Sequence, residues 1–181
     1  LRRFFPSLSV FRSRGEGRGG HRVVDECLRG LGGRQHARGA GARVPAMVNA
    51  CRSYLWSDPE SLRLLLKSGM DPDLPNWQHA TPLHDLCGRD ARGRAQEHRV
   101  ECAAIFLDAG ATISAKDEDY RSTPLAWAAR CNLPDMVEFL LSRGAPTNLP
   151  DDEPWATPLA WATKRGYRHI ASLLRTAGAT A

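Results

Sequence analysis

At 181 residues the chain has room for one domain of ordinary size or a short repeat array. Hydrophobic residues at 42%, charged residues at 25% and a mean hydropathy of -0.41 describe a globular mixture, and no apolar run approaches the roughly 18 residues of a membrane span. The formal charge of +5 is unevenly spread: residues 1–45 hold ten Arg against Glu16, Asp25 and Glu26, a net of +7, which leaves −2 on residues 46–181.

Residues 1–44 are expected to form an Arg/Gly-rich, disordered arm. Nine of the sixteen Gly lie in residues 1–45, and stretches such as Gly15-Glu16-Gly17-Arg18-Gly19-Gly20 resist helix and strand alike. Only Val23-Val24-Asp25-Glu26-Cys27-Leu28 is helix-like. The stretch from Leu1 to Arg14 is Arg-rich, contains Ser and lacks acids, as organelle transit segments do. It also suits a nucleic-acid-binding arm. The missing Met and the abrupt change in composition favour a plain extension. Arg outnumbers Lys by 22 to 3 along the whole chain, so the excess is compositional bias. The five Cys (27, 51, 87, 102, 131) include no C-x-x-C pair. That argues against a disulfide framework and suits a reducing, cytoplasmic compartment.

From about residue 45 the chain is periodic. Thr81-Pro82-Leu83, Thr123-Pro124-Leu125 and Thr157-Pro158-Leu159 open similar blocks, 42 and 34 residues apart. Gly69, Gly110, Gly144 and Gly178 close them at spacings of 41, 34 and 34. Each block reads as two short helices. Thr caps the first and Pro takes its first position, where a missing N–H costs nothing. The second carries an apolar stripe, as in Met136, Val137, Phe139, Leu140 and Leu141, and the Gly stops it. Asp58-Pro59 and Asn132-Leu133-Pro134 mark where such helices begin. Neither helix buries its stripe alone, so neighbours stack. Thr81 to Gly110 spans 29 residues where the later blocks span 21, which places eight extra residues within 88–97. This Arg- and Gly-rich insert is expected to be a protease-sensitive loop. Arg175 replaces the Leu of Leu66, Leu107 and Leu141, giving the last unit the polar outer face of a terminal repeat.

The Thr-Pro-Leu-His-x-x-Cys block at 81–87, the two Thr-Pro-Leu-Ala-Trp-Ala copies and the Leu-Leu-Ser-Arg-Gly-Ala ending at 140–145 resemble the ankyrin repeat. The resemblance covers residues 45–181 in four units, about 45–77, 78–119, 120–153 and 154–181, the first of them degenerate. It implies an all-α helical repeat solenoid with short β-hairpin finger loops. It also implies that His84 braces its turn by hydrogen bonding. Ala126 and Ala160 replace that His, and Trp127 and Trp161, one residue later, are expected to add packing.

No residue pattern points to catalysis. The G-x-G-x-x-G match at 15–20 lacks a preceding strand, and Asp25 and Glu26 come too early for a dinucleotide fold. His84, Cys87, His98 and Cys102 have spacings that zinc accepts, but both Cys fall at small-residue core positions. Neither a metal nor a cofactor is expected, and no nucleophile elbow or phosphate loop occurs.

The loops between units each set an aromatic beside acids. They contain Trp77, then Asp117, Glu118, Asp119 and Tyr120, then Asp151, Asp152, Glu153 and Trp155. Solvated loop charge and hairpin packing would explain these residues simply. The functional reading is a row of aromatic anchors in an acidic frame, since Trp and Tyr dominate binding hot spots. The chain is therefore expected to be a monomer that binds another protein, one with a basic surface, on a concave finger and first-helix face. The alternative is a nucleic-acid-associated protein working through the Arg arm.

Overall fold

The computed structural model describes residues 58–76, 78–88 and 98–180. The arm at 1–44, the first half of the first unit, Trp77 and residues 89–97 of the insert lie outside the described residues. Seven helices follow in order: α1 (Pro59–Lys67), α2 (Pro82–Cys87), α3 (Arg99–Asp108), α4 (Pro124–Arg130), α5 (Pro134–Ser142), α6 (Pro158–Arg165) and α7 (Arg168–Thr176).

Local chemistry sets where each begins. Pro82, Pro124 and Pro158 stand in the first turns of α2, α4 and α6, behind Thr81, Thr123 and Thr157 in extended backbone. Thr123 Oγ1 accepts the Ala126 N–H at 3.3 Å and Thr157 Oγ1 that of Ala160 at 3.2 Å. In α2 the bond is reciprocal, because His84 Nδ1 accepts the Thr81 N–H at 3.1 Å. The ends are equally regular. Gly69, Gly110, Gly144 and Gly178 sit at φ of 92°, 95°, 82° and 91°, in the left-handed region that glycine enters without strain. The next residue then turns its N–H back, as Ala111 does to Phe106 O at 3.0 Å and Ala145 to Leu140 O at 2.9 Å.

The helices form two layers. In the first, α2, α4 and α6 stack side by side; in the second, α1, α3, α5 and α7 do the same. Each first-layer helix also packs on the second-layer helix that follows it. One continuous core lies between the layers, with Leu83, Phe106, Leu125, Met136, Leu140, Ile170 and Leu174 completely buried. Each such side chain contributes roughly 1.5–3 kcal/mol by leaving water. In α7 the stripe of Ile170, Ala171 and Leu174 is buried and Arg175 is exposed.

The fingers are turns. Among the described residues no strand occurs. Asn76 N–H meets Ala80 O at 3.0 Å and Asp117 N–H meets Ser122 O at 3.2 Å, a single rung each. Positive φ at His79 (54°) and Arg121 (48°) turns the backbone away before a second rung can form. At the insert, Arg99 Nη1 donates to Gly88 O at 3.2 Å and clips the two flanks together.

Candidate functional site

The middle finger is organised around Asp117. Its Oδ1 accepts the Ser122 N–H at 3.1 Å and the Trp127 indole N–H at 2.9 Å, and its Oδ2 accepts the Tyr120 N–H at 2.8 Å. Asp117 is only 2% exposed. It was expected on the binding face; the structure places it in the body of the finger. A buried carboxylate that accepts from three donors of its own finger and first helix holds the finger's shape.

Ser122 joins three units. Its carbonyl accepts from His84 Nε2 at 3.1 Å, and its hydroxyl accepts the Trp161 indole N–H at 3.0 Å. The hydroxyl proton has two acceptors in reach, Tyr120 O at 2.8 Å and Ala156 O at 3.0 Å. His84 thus braces its own turn through Nδ1 and the next finger through Nε2. Where Ala126 and Ala160 replace the His, Trp127 and Trp161 supply a bond as well as packing. The sequence carried a faint sign of this, a hydroxyl at Ser122 where the other blocks have Ala80 and Ala156.

The aromatics form a ladder of edge-to-face pairs along the first helices. Centroids are 5.8 Å apart for His84–Trp127, 5.6 Å for Trp127–Tyr120, 5.9 Å for Tyr120–Trp161 and 6.4 Å for Trp161–Trp155. Such pairs are worth about 0.5–1.5 kcal/mol each. Tyr120 and Trp155 are therefore brought together, with Trp161 between them. Tyr120 is half-buried under the Arg130 guanidinium, 3.7 Å from its ring centroid. Trp155, at the end of the ladder, is 50% exposed.

The remaining finger acids are arranged between fingers. Glu118 Oε1 lies 3.3 Å from His79 Nε2, the Glu118 N–H donates to Gln78 O at 3.0 Å, and the Gln78 amide donates to Asp119. Lys116 Nζ lies 3.0 Å from Asp151 and 2.9 Å from Asp152. Burial pulls the Lys116 ammonium down, but the hydrogen bonds and charges of Asp152 and Asp151 outweigh it and hold it above the ordinary 10.5. Lys116 in turn holds Asp151 below its usual range. Glu153 is exposed.

His84 uses both ring nitrogens for hydrogen bonds. Burial, the largest influence, pulls its imidazole below the ordinary 6.5, so it is neutral near pH 7. Cys87 and Cys102 are fully buried, and desolvation pushes both thiols up, Cys102 to about 12. His98 is exposed at the start of α3, 3.5 Å from Glu101. Among the described residues no group of three His, Cys, Asp or Glu could hold a metal ion. Among them, too, no helix is long and apolar enough to cross a membrane.

The protein-family model described as ankyrin repeats (3 copies) matches residues 54–151 and again 94–180. The chain is similar to Neurogenic locus notch homolog protein 4 of Homo sapiens, with 33% identity over 87 residues, 48% of this chain and 4% of that protein. It is also similar to Potassium channel GORK of Arabidopsis thaliana, with 30% identity over 90 residues, 50% of this chain and 10% of that protein. The similarity thus spans a small part of either relative.

Proposed function

The chain belongs to the ankyrin-repeat family, and on that premise we propose that it binds another protein, without catalysis, on the face made by the fingers and the first-layer helices. Members of this family are generally protein–protein interaction modules. The observation that carries the choice of face is Trp155. It is a large aromatic with half its surface in water, standing at the end of a ladder whose other members are buried or half-buried. A rigid indole of this kind is a typical anchor for a partner's pocket. Asp151 and Glu153 beside it, and Glu118 and Asp119 on the middle finger, are exposed at the finger tips. They suit a partner with a basic surface there.

The experiment is Trp155→Ala, read for affinity toward a captured partner and for melting temperature. An anchor contributes about 2 kcal/mol or more to binding, so affinity should fall at least roughly thirtyfold. Stability should fall by no more than the Trp161 pair is worth, about 0.5–1.5 kcal/mol, less than the loss in binding. Unchanged affinity with a clear loss of stability would show that Trp155 serves only to pack on Trp161, and this face would be abandoned.

A further inference from the structure

Charge is divided unequally across this face. The carboxylates of Asp117, Glu118, Asp119, Asp151 and Asp152 all have partners within the array. Among the cations of the first-layer helices, Arg130 and Lys164 touch aromatic rings and make no ion pair among the described residues. Arg130, the last residue of α4, lies over three rings at once, 3.7 Å from Tyr120, 5.1 Å from Trp161 and 5.6 Å from Trp127. Its Nε is buried without a hydrogen-bond partner, and no carboxylate pairs with it among the described residues. Lys164, exposed on α6, holds its Nζ 5.3 Å from the Trp161 ring and likewise makes no ion pair there.

Arg130 Cζ sits 3.7 Å from the Tyr120 centroid, a stacking distance, and a stacked guanidinium turns its N–H groups outward past the ring edge. Their fork matches both oxygens of a carboxylate. The rings also hold the side chain in place before any partner arrives, so little rotamer freedom is lost on binding. Beside indole and phenol walls the pairing is less screened than in open water. The anion that fits is singly charged: Asp117 is one hydrogen bond from Trp127, and Asp151 and Asp152 stand on the neighbouring finger, so a phosphate dianion meets more repulsion than a carboxylate.

We infer that Arg130, which shares the Trp161 ring with Lys164, is a carboxylate receptor in the floor of the binding face, and that its occupant is an Asp or Glu side chain of the protein partner. The inference rests on the protein-binding reading above and deepens it. The partner segment then carries two charges in a fixed relation, a carboxylate at the Trp161 floor and basic residues toward the finger tips.

The test uses the full chain and a randomised twelve-residue peptide library displayed on phage. Enriched peptides should share an Asp or Glu together with Lys or Arg. A synthetic copy should lose at least tenfold in affinity on Arg130→Gln. It should lose as much when its own acid is changed to the amide, and the two losses should not add. Arg130→Lys, which keeps the charge without the fork, should recover only part of the affinity. A melting curve shows whether Arg130→Gln is folded. If it is not, the peptide-side change on the unaltered chain decides alone. Peptides that require Trp155 but ignore Arg130, or that tolerate loss of their acid, overturn the receptor and leave the face standing. No enrichment, or peptides indifferent to both Trp155→Ala and Arg130→Gln, overturns both.

Discussion

Replacing Asp117 with Ala removes the acceptor of three hydrogen bonds, from Tyr120 N–H, Ser122 N–H and the Trp127 indole. Bonds to a charged acceptor are worth about 1.5–3 kcal/mol each, and a buried donor left alone costs about 1–3 kcal/mol. The three share one carboxylate, so their costs do not simply add. A loss of about 3–4 kcal/mol is expected once the loop relaxes and water reaches some of the donors. For an array of this size that lowers the melting temperature by roughly 10 °C. Asp117→Asn is the finer probe. An amide keeps one oxygen for Ser122 and Trp127 but turns an NH2 toward the Tyr120 N–H, so about half the loss is expected. Urea unfolding followed by far-ultraviolet circular dichroism and by Trp fluorescence measures both variants. An Asp117→Ala protein within about 0.5 kcal/mol of the parent, the scatter of ordinary surface changes, would refute the structural role. If it also lost partner binding, Asp117 would return to the binding face.

His84 makes stability depend on pH. Its imidazole stays neutral in the fold below the ordinary value of 6.5, whereas the unfolded chain takes up that proton near 6.5, so stability is full above this pH and falls below it. The slope for one proton cannot exceed about 1.4 kcal/mol per pH unit, and urea titrations at pH 5.5 and 7.5 should show a smaller difference for His84→Gln than for the parent. Trp161→Phe keeps the ring but removes the bond to Ser122 Oγ, and should cost about 1 kcal/mol by the same assay. Gly144→Ala should cost about 1–2 kcal/mol through backbone strain alone, because a Cβ there meets nothing within 4 Å while φ is 82°. A loss beyond that range would mean the following turn had rearranged.

The helices were legible because their signals are local and redundant. Thr-Pro starts, glycine stops and the spacing between them agree, and all four closing glycines take the left-handed conformation. The site was less legible because its chemistry depends on pairings that no helix or turn spacing signals, from Asp117 and Trp127, 10 residues apart, to Lys116 and Asp151, 35 apart. Asp117 looked like any loop acid, and only folding brings it against Trp127. Lys116 looked unremarkable, yet it neutralises two acids on the next finger. Arg130 was lost in a chain with 22 Arg, and nothing local distinguishes a cation on three rings from one in solvent. The hairpins shorten to single rungs beside His79 and Arg121, which take positive φ; His enters that region more readily than most residues, but Arg gives no such sign.

The polar links between successive fingers have a mechanical consequence. Asp73 to Thr112, Lys116 to Asp151 and Asp152, and Asn148 to Thr180 recur once per unit along one edge, each joining residues 32 to 39 apart and 35 apart for Lys116 and the Asp151 carbonyl. The helix layer opposite carries ion pairs of its own, Arg63 to Glu101 and Arg143 to Asp108. Of the finger links only that of Lys116 joins opposite charges, and the other two are hydrogen bonds with a neutral partner. Salt therefore screens both sides of the slab and leaves the neutral bonds standing. Raising ionic strength should loosen neighbouring units together without tilting them toward either side, so the array keeps its curvature as its stability falls.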